Sequence, residues 1–202
     1  MPTTVKDAIR MFEEAEKIKA AEAERVLLYG QIPPIEKMDN NLSSLKMCTQ
    51  LSLSTNNIDK IAGLSGLENL KVLSLSRNQI KKIENLDGVA ATLEELWISY
   101  NLIEKLTNIE KLENLRVLYI SNNKIDSWAE IERLAQLPQI DELLLIGNPL
   151  YDKFKAENPQ VIGSTWRLEV LKRIPRLKKL DGVPVEQEEL DAITQAANKI
   201  LD

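Results

Sequence analysis

One pattern recurs five times along this chain: Leu-x-x-Leu-x-Leu-x-x-Asn-x-Ile, with other apolar residues at some leucine positions and asparagines at Asn56, Asn78, Asn101, Asn123 and Asn148. Successive asparagines lie 22, 23, 22 and 25 residues apart. A unit this short holds one strand and one return segment, too little to bury its own apolar face. Burial comes only from stacking on similar neighbours, so the chain is expected to fold as a solenoid. Its leucines then point inward, and function must be sought in columns of residues on the remaining surface.

The expected fold class is α/β: a leucine-rich-repeat solenoid with short parallel strands on one face, helical or 3₁₀ connectors on the other, and helical caps at both ends. A single domain spans residues 1–202, with an N-terminal helical cap over 1–26, repeats over 27–162, and a C-terminal cap with a terminal helix over 163–202. Thr4 and Asp7 start a helix over 4–26, with Ala8, Phe12 and Ala15 on one side. A degenerate first repeat follows, containing Ile32-Pro33-Pro34-Ile35 and Met38. Ser127-x-x-Glu130 reads as a capping box opening a connector helix through Ile131, Leu134 and Leu137. Residues 109–112 are too few for more than a 3₁₀ turn.

Residues 154–163 read as a polar connector, after which Ser164 opens a helix through Trp166, Val170 and Leu171 that stops before Pro175. Leu177 and Leu180 echo the repeat once more. A last helix over 185–202 places Leu190, Ile193, Ala197 and Ile200 on one side. The repeated asparagine stands where the chain leaves each strand. Its amide both donates and accepts, so a column of them can satisfy backbone groups that the bend leaves unpaired.

Composition excludes several function classes. The chain has no histidine and one cysteine, Cys48, so a histidine-based triad, a Cys/His zinc site and an internal disulfide are out of reach. An enzyme is not expected, nor any cofactor. A net charge of −5 argues against nucleic-acid binding. No apolar run resembles a membrane span or a leader, and a reducing compartment is expected.

Residues between the leucines face outward, because strand side chains alternate. One column reads Ser52, Ser74, Trp97, Tyr119, Leu144 and another Gln50, Val72, Glu95, Val117, Glu142. A third, just past the strand, reads Thr55, Arg77, Tyr100, Asn122, Gly147. Aromatics make up only 4% of the chain, yet Trp97, Tyr119 and Tyr100 gather here with Val72, Val117, Leu144 and Arg77. An apolar patch with an arginine and a polar rim is what a protein-binding hot spot needs. A terminal helix folded over it is the competing expectation. Arg167, Lys172, Arg173, Arg176, Lys178 and Lys179 also make the C-terminal cap basic. They read either as a solvated cap whose charges satisfy one another or as a docking surface for an acidic partner.

Several stretches between the leucines resemble the leucine-rich-repeat light chains of axonemal outer-arm dynein. They are Ile32-Pro33-Pro34-Ile35-Glu36-Lys37-Met38, Leu93-Glu94-Glu95-Leu96-Trp97-Ile98-Ser99-Tyr100-Asn101, Arg116-Val117-Leu118-Tyr119 and Gly147-Asn148-Pro149-Leu150-Tyr151. The resemblance implies a non-catalytic subunit of a ciliary or flagellar motor, working in the cytoplasm and the axonemal cytoskeleton. Its implied partners are a dynein heavy chain, held at the stalk tip by Val72, Arg77, Trp97, Tyr100, Val117, Tyr119 and Leu144, and tubulin, facing the basic cap. A phosphatase regulator built from 22-residue repeats would use the same face on an enzyme. A spliceosomal scaffold is a more distant alternative.

Overall fold

The protein is described by a computed structural model over residues 1–159 and 164–198. Its first half holds α1 (Val5–Glu16), β1 (Arg25–Leu27), β2 (Gln50–Ser52), β3 (Val72–Ser74) and β4 (Glu95–Trp97). Then follow β5 (Val117–Tyr119), α2 (Trp128–Leu134), β6 (Glu142–Leu144), α3 (Pro149–Glu157), α4 (Ser164–Arg173), β7 (Lys179–Leu180), β8 (Val183–Pro184) and α5 (Gln187–Asn198). The strands form one open sheet in chain order. β1 to β7 run parallel, and β8 returns antiparallel on β7. Leu51, Leu73, Leu96, Leu118 and Leu143 lie in one register row, all fully buried.

The asparagines stitch each repeat to the one before. Asn78 accepts the Ile58 N–H at 2.9 Å and donates to the carbonyls of Leu53 and Leu75 at 3.1 and 3.0 Å. Asn101 does the same for Ile80, Leu75 and Ile98, and Asn123 for Ile103, Ile98 and Ile120. Asn56 opens the series on Ile35, Leu28 and Leu53. Fully buried Asn148 closes it, accepting from Asn123 and Ile125 and donating to Ile120 and Leu145. Each amide uses both its capacities, and from Asn78 onward it does so buried, where an unpaired backbone group would be costly.

The residue before each asparagine is left-handed: Thr55 (φ 55°), Arg77 (56°), Tyr100 (58°), Asn122 (53°) and Gly147 (77°). Non-glycine residues pay about 1–2 kcal/mol for this conformation. Backbone pairing holds them there, as the N–H groups of Thr55, Arg77 and Tyr100 donate to the next repeat at Ser76, Ser99 and Ser121. A smaller ladder lies on the connector side. Left-handed Asn85 and Asn108 donate to the carbonyls of Ile61 and Ile83 at 2.8 and 3.1 Å. Gly63 opens that ladder because a Cβ there would sit 2.0 Å from the Asp39 carbonyl oxygen.

Three local expectations give way to packing. The first helix starts as expected, with Thr4 accepting the Asp7 N–H, but it ends at Glu16, where Lys17 turns left-handed. Arg25–Leu27 then pairs as strand β1, because Val26 and Leu28 form the first inward layer of the solenoid. Ala15 is left exposed. Ser127 makes no side-chain cap; Glu130, only 4% exposed, instead accepts the Leu106 N–H of the previous connector at 2.8 Å. A buried donor in a neighbouring repeat outcompetes the local box. Residues 154–157 continue α3, whose Phe154 packs on the Trp128 and Trp166 rings. The Val161-Ile162-Gly163 stretch, Lys199, Ile200 and Asp202 lie outside the described residues.

The last sheet edge closes differently from the others. The N–H groups of Leu75, Ile98 and Ile120 donate to the carbonyls of Trp97, Tyr119 and Leu144 on the next strand. The equivalent Leu145 N–H, with that of Ile146, donates to the Asp181 carboxylate at 2.6 and 3.0 Å. The other Asp181 oxygen accepts the Trp166 indole N–H at 3.0 Å. Among the described residues, no helix is long and apolar enough to cross a membrane.

Candidate functional site

Parallel register brings the predicted columns into contact. Trp97 pairs with Tyr119 and Tyr119 with Leu144, while Val72, Glu95, Val117 and Glu142 form the neighbouring row. The Trp97 and Tyr119 rings stack with centroids 5.9 Å apart and planes inclined by 22°. Each ring is tethered by an acid of that row. The Trp97 indole donates to Glu95 at 3.0 Å, and the Tyr119 hydroxyl donates to Glu142 at 2.6 Å. Lys179 reaches the same Glu142 oxygen at 3.0 Å. Burial, then the bond to the Glu142 carboxylate, pushes the Tyr119 hydroxyl up to about 12, so it remains a neutral donor.

Both rings stay half-buried, as do Val72 and Leu144, while Val117 lies at the floor. Tyr100 is 47% exposed and carries the Arg77 guanidinium 4.4 Å above its ring. α1 packs on the first connectors and α5 on α4, leaving the rings on the open sheet face. Toward β2 the face shrinks to serines, with Ser54 and Ser74 hydroxyls bonded at 2.6 Å. The result is a raised aromatic platform bordered by a low polar shelf.

Sequence reasoning named the seven platform residues but gave Glu95 and Glu142 no part in it. Their place two residues along the strand from the ring column, on the same face, was the available signal. It also passed over Ile146, exposed beside the platform, and Tyr29 and Ile32, exposed at the other end of the sheet. A groove of about 760 Å³ lies on the connector side between Lys81, Lys105 and Lys124, away from all of these.

The basic cap is largely answered from within. Arg167 donates to Glu189 at 2.6 and 2.9 Å and to the carbonyls of Leu180 and Pro184. Arg173 lies 4.1 Å over the Trp128 ring and bonds Glu169, which also holds Lys172. Arg176 donates to the Ala135 carbonyl; Lys178 pairs with Asp141 and Lys179 with Glu142. Arg167 holds the Glu189 carboxyl below its ordinary value, outweighing burial. Apart from Lys172, whose partner Glu169 lies in its own helix, these cations tie the α4–β7 segment to α2, β6 and α5.

Comparison with known proteins converges on one family. The model for leucine-rich repeats in two copies matches residues 46–88 and 91–133. A Chlamydomonas reinhardtii protein named dynein axonemal light chain 1 is 64% identical over 187 residues, covering 93% of each chain. Its Homo sapiens namesake is 54% identical over 183 residues, covering 91% of this chain and 93% of that one. A chain from the Drosophila melanogaster SNF/U2A′ complex superposes with a TM-score of 0.52 at 20% identity, covering 88% of this chain and 86% of that one; it shares the fold alone. With that identity spread over nearly the whole length, the chain belongs to the axonemal dynein light chain 1 family.

Proposed function

We propose that this chain is a non-catalytic light chain that grips an axonemal dynein heavy chain through the aromatic platform. The microtubule-binding stalk tip is the bound region, and the complex works in the axoneme of a cilium or flagellum. The observation that carries this reading is the Trp97–Tyr119 stack, whose rings are already held by Glu95 and Glu142 on an open face. Side chains ordered before binding lose little entropy when a partner arrives, and large aromatics dominate interface energies. The relatives' shared name supplies the motor; the platform supplies the means of attachment.

A rigid solenoid clamped to the stalk tip would bias how the motor meets its track, and so modulate ciliary motility. Any tubulin contact of its own falls to the outermost cap cations, above all Lys178, whose side chain is 78% exposed. Titration calorimetry of a stalk-tip fragment against Trp97→Ala and Tyr119→Ala tests the grip. A loss of about 2 kcal/mol or more per ring is expected. Unchanged binding by both variants would remove the sheet face from the mechanism.

A further inference from the structure

Of the two carboxylates on the platform, Glu95 is the one without an ion-pair partner among the described residues. Glu95 stands between Val72 and Val117 on the exposed row, half-buried, with its Trp97 bond as its one side-chain hydrogen bond among the described residues. Glu142, in the same row, has Lys179 at 3.0 Å as well as the Tyr119 hydroxyl. Nearby cations are engaged elsewhere: Lys71 with Glu94 at 3.1 Å, Arg116 with Asp141 at 3.2 Å, and Arg77 over Tyr100. None of the described lysines or arginines forms an ion pair with Glu95.

Water satisfies that carboxylate while the face is open. A partner that covers the rings must also cover the carboxylate, and a desolvated, unpaired charge is heavily penalised. We infer that the segment seated on the platform brings its own lysine or arginine to Glu95. The occupant is an amphipathic helix whose apolar stripe lies on Trp97 and Tyr119, with a cation projecting toward the Val72–Val117 side. This rests on the platform being the heavy-chain site and adds the chemistry that selects what binds there. A neutral residue at that place in the helix is disfavoured and an acidic one excluded, so the lone carboxylate works as a filter.

The sign of one substitution decides the matter. Glu95→Gln keeps an acceptor for the indole and the side-chain size, and removes only the charge. Wild type, Glu95→Gln and Trp97→Ala are titrated with a stalk-tip fragment of an outer-arm dynein heavy chain at low and high sodium chloride, with thermal melts as the folding check. Glu95→Gln is expected to bind roughly tenfold more weakly at low salt and with a shallower salt dependence. Trp97→Ala is expected to weaken binding at every salt while keeping the wild-type slope. Equal or tighter binding by Glu95→Gln, with Trp97→Ala still impaired, overturns the cation and leaves the platform standing. Full-strength binding by Trp97→Ala overturns the platform and the inference with it.

Discussion

Tyr100 and Asn101 are neighbours in the chain, yet they belong to opposite economies of the fold. Asn101 is 4% exposed, and its amide bonds the backbones of two adjacent repeats; Tyr100 is 47% exposed, and only its backbone is conscripted. The same contrast repeats down the sheet. The asparagine column is chemically uniform because every member must both donate and accept. The left-handed column beside it carries Thr55, Arg77, Tyr100, Asn122 and Gly147; apart from Gly147, where a Cβ would meet the Asn122 side chain at 2.5 Å, the scaffold takes no side-chain hydrogen bond from this column among the described residues. Scaffold and recognition are thus separated by one peptide unit, and the second can vary without disturbing the first.

Substitutions can break or sharpen this contrast. The largest effect is expected for Asn101→Ala, which strands the Ile80 N–H in the core and takes from the Leu75 and Ile98 carbonyls one of their two asparagine donors. Urea unfolding should show a loss of about 3 kcal/mol or more. Trp97→Ala should invert the pattern, with binding to a stalk-tip fragment down by about 2 kcal/mol and stability changed by less than about 1 kcal/mol. A stability loss matching that of Asn101→Ala would erase the distinction between the columns.

Arg167→Ala is expected to cost about 1–2 kcal/mol of cap stability, read by thermal melting. Its pH dependence has a definite sign. The folded Glu189 carboxyl lies below its ordinary value of 4.5, so its contribution is complete above that pH and fades as acid protonates it in the folded state. The variant should lose that acid-side decline. Smallest of all, Lys178→Ala should change microtubule co-sedimentation by less than about twofold, since Asp141 already screens the ammonium. A larger drop would make the cap the direct tubulin contact and leave the heavy-chain grip on the sheet untouched.

Much of this was readable from the chain. The leucine spacing and the recurring asparagine announced the stack, and strand alternation placed Trp97, Tyr119, Val72 and Leu144 on one face. What stayed hidden was decided by residues distant in sequence. Glu130 leaves its local box for the Leu106 N–H 24 residues earlier. The cap looked basic because all its acids but Glu169, namely Asp141, Glu142 and Glu189, lie outside the run of cations. Arg25–Leu27 joins the sheet only because β2 is there to receive it. The left-handed turns had a visible signal only at Asn122 and Gly147, since Thr55, Arg77 and Tyr100 are residue types that seldom adopt them.

Asp181 has a consequence for how the molecule behaves in a crowd. A sheet whose final strand still offers its amides is a template on which stray chains or second copies can add themselves. Here one carboxylate plugs two of those donors and is itself anchored by an indole, while the β8 hairpin turns the remaining rim back on itself. Two fewer amides at the far end of the sheet are therefore open to a stray strand.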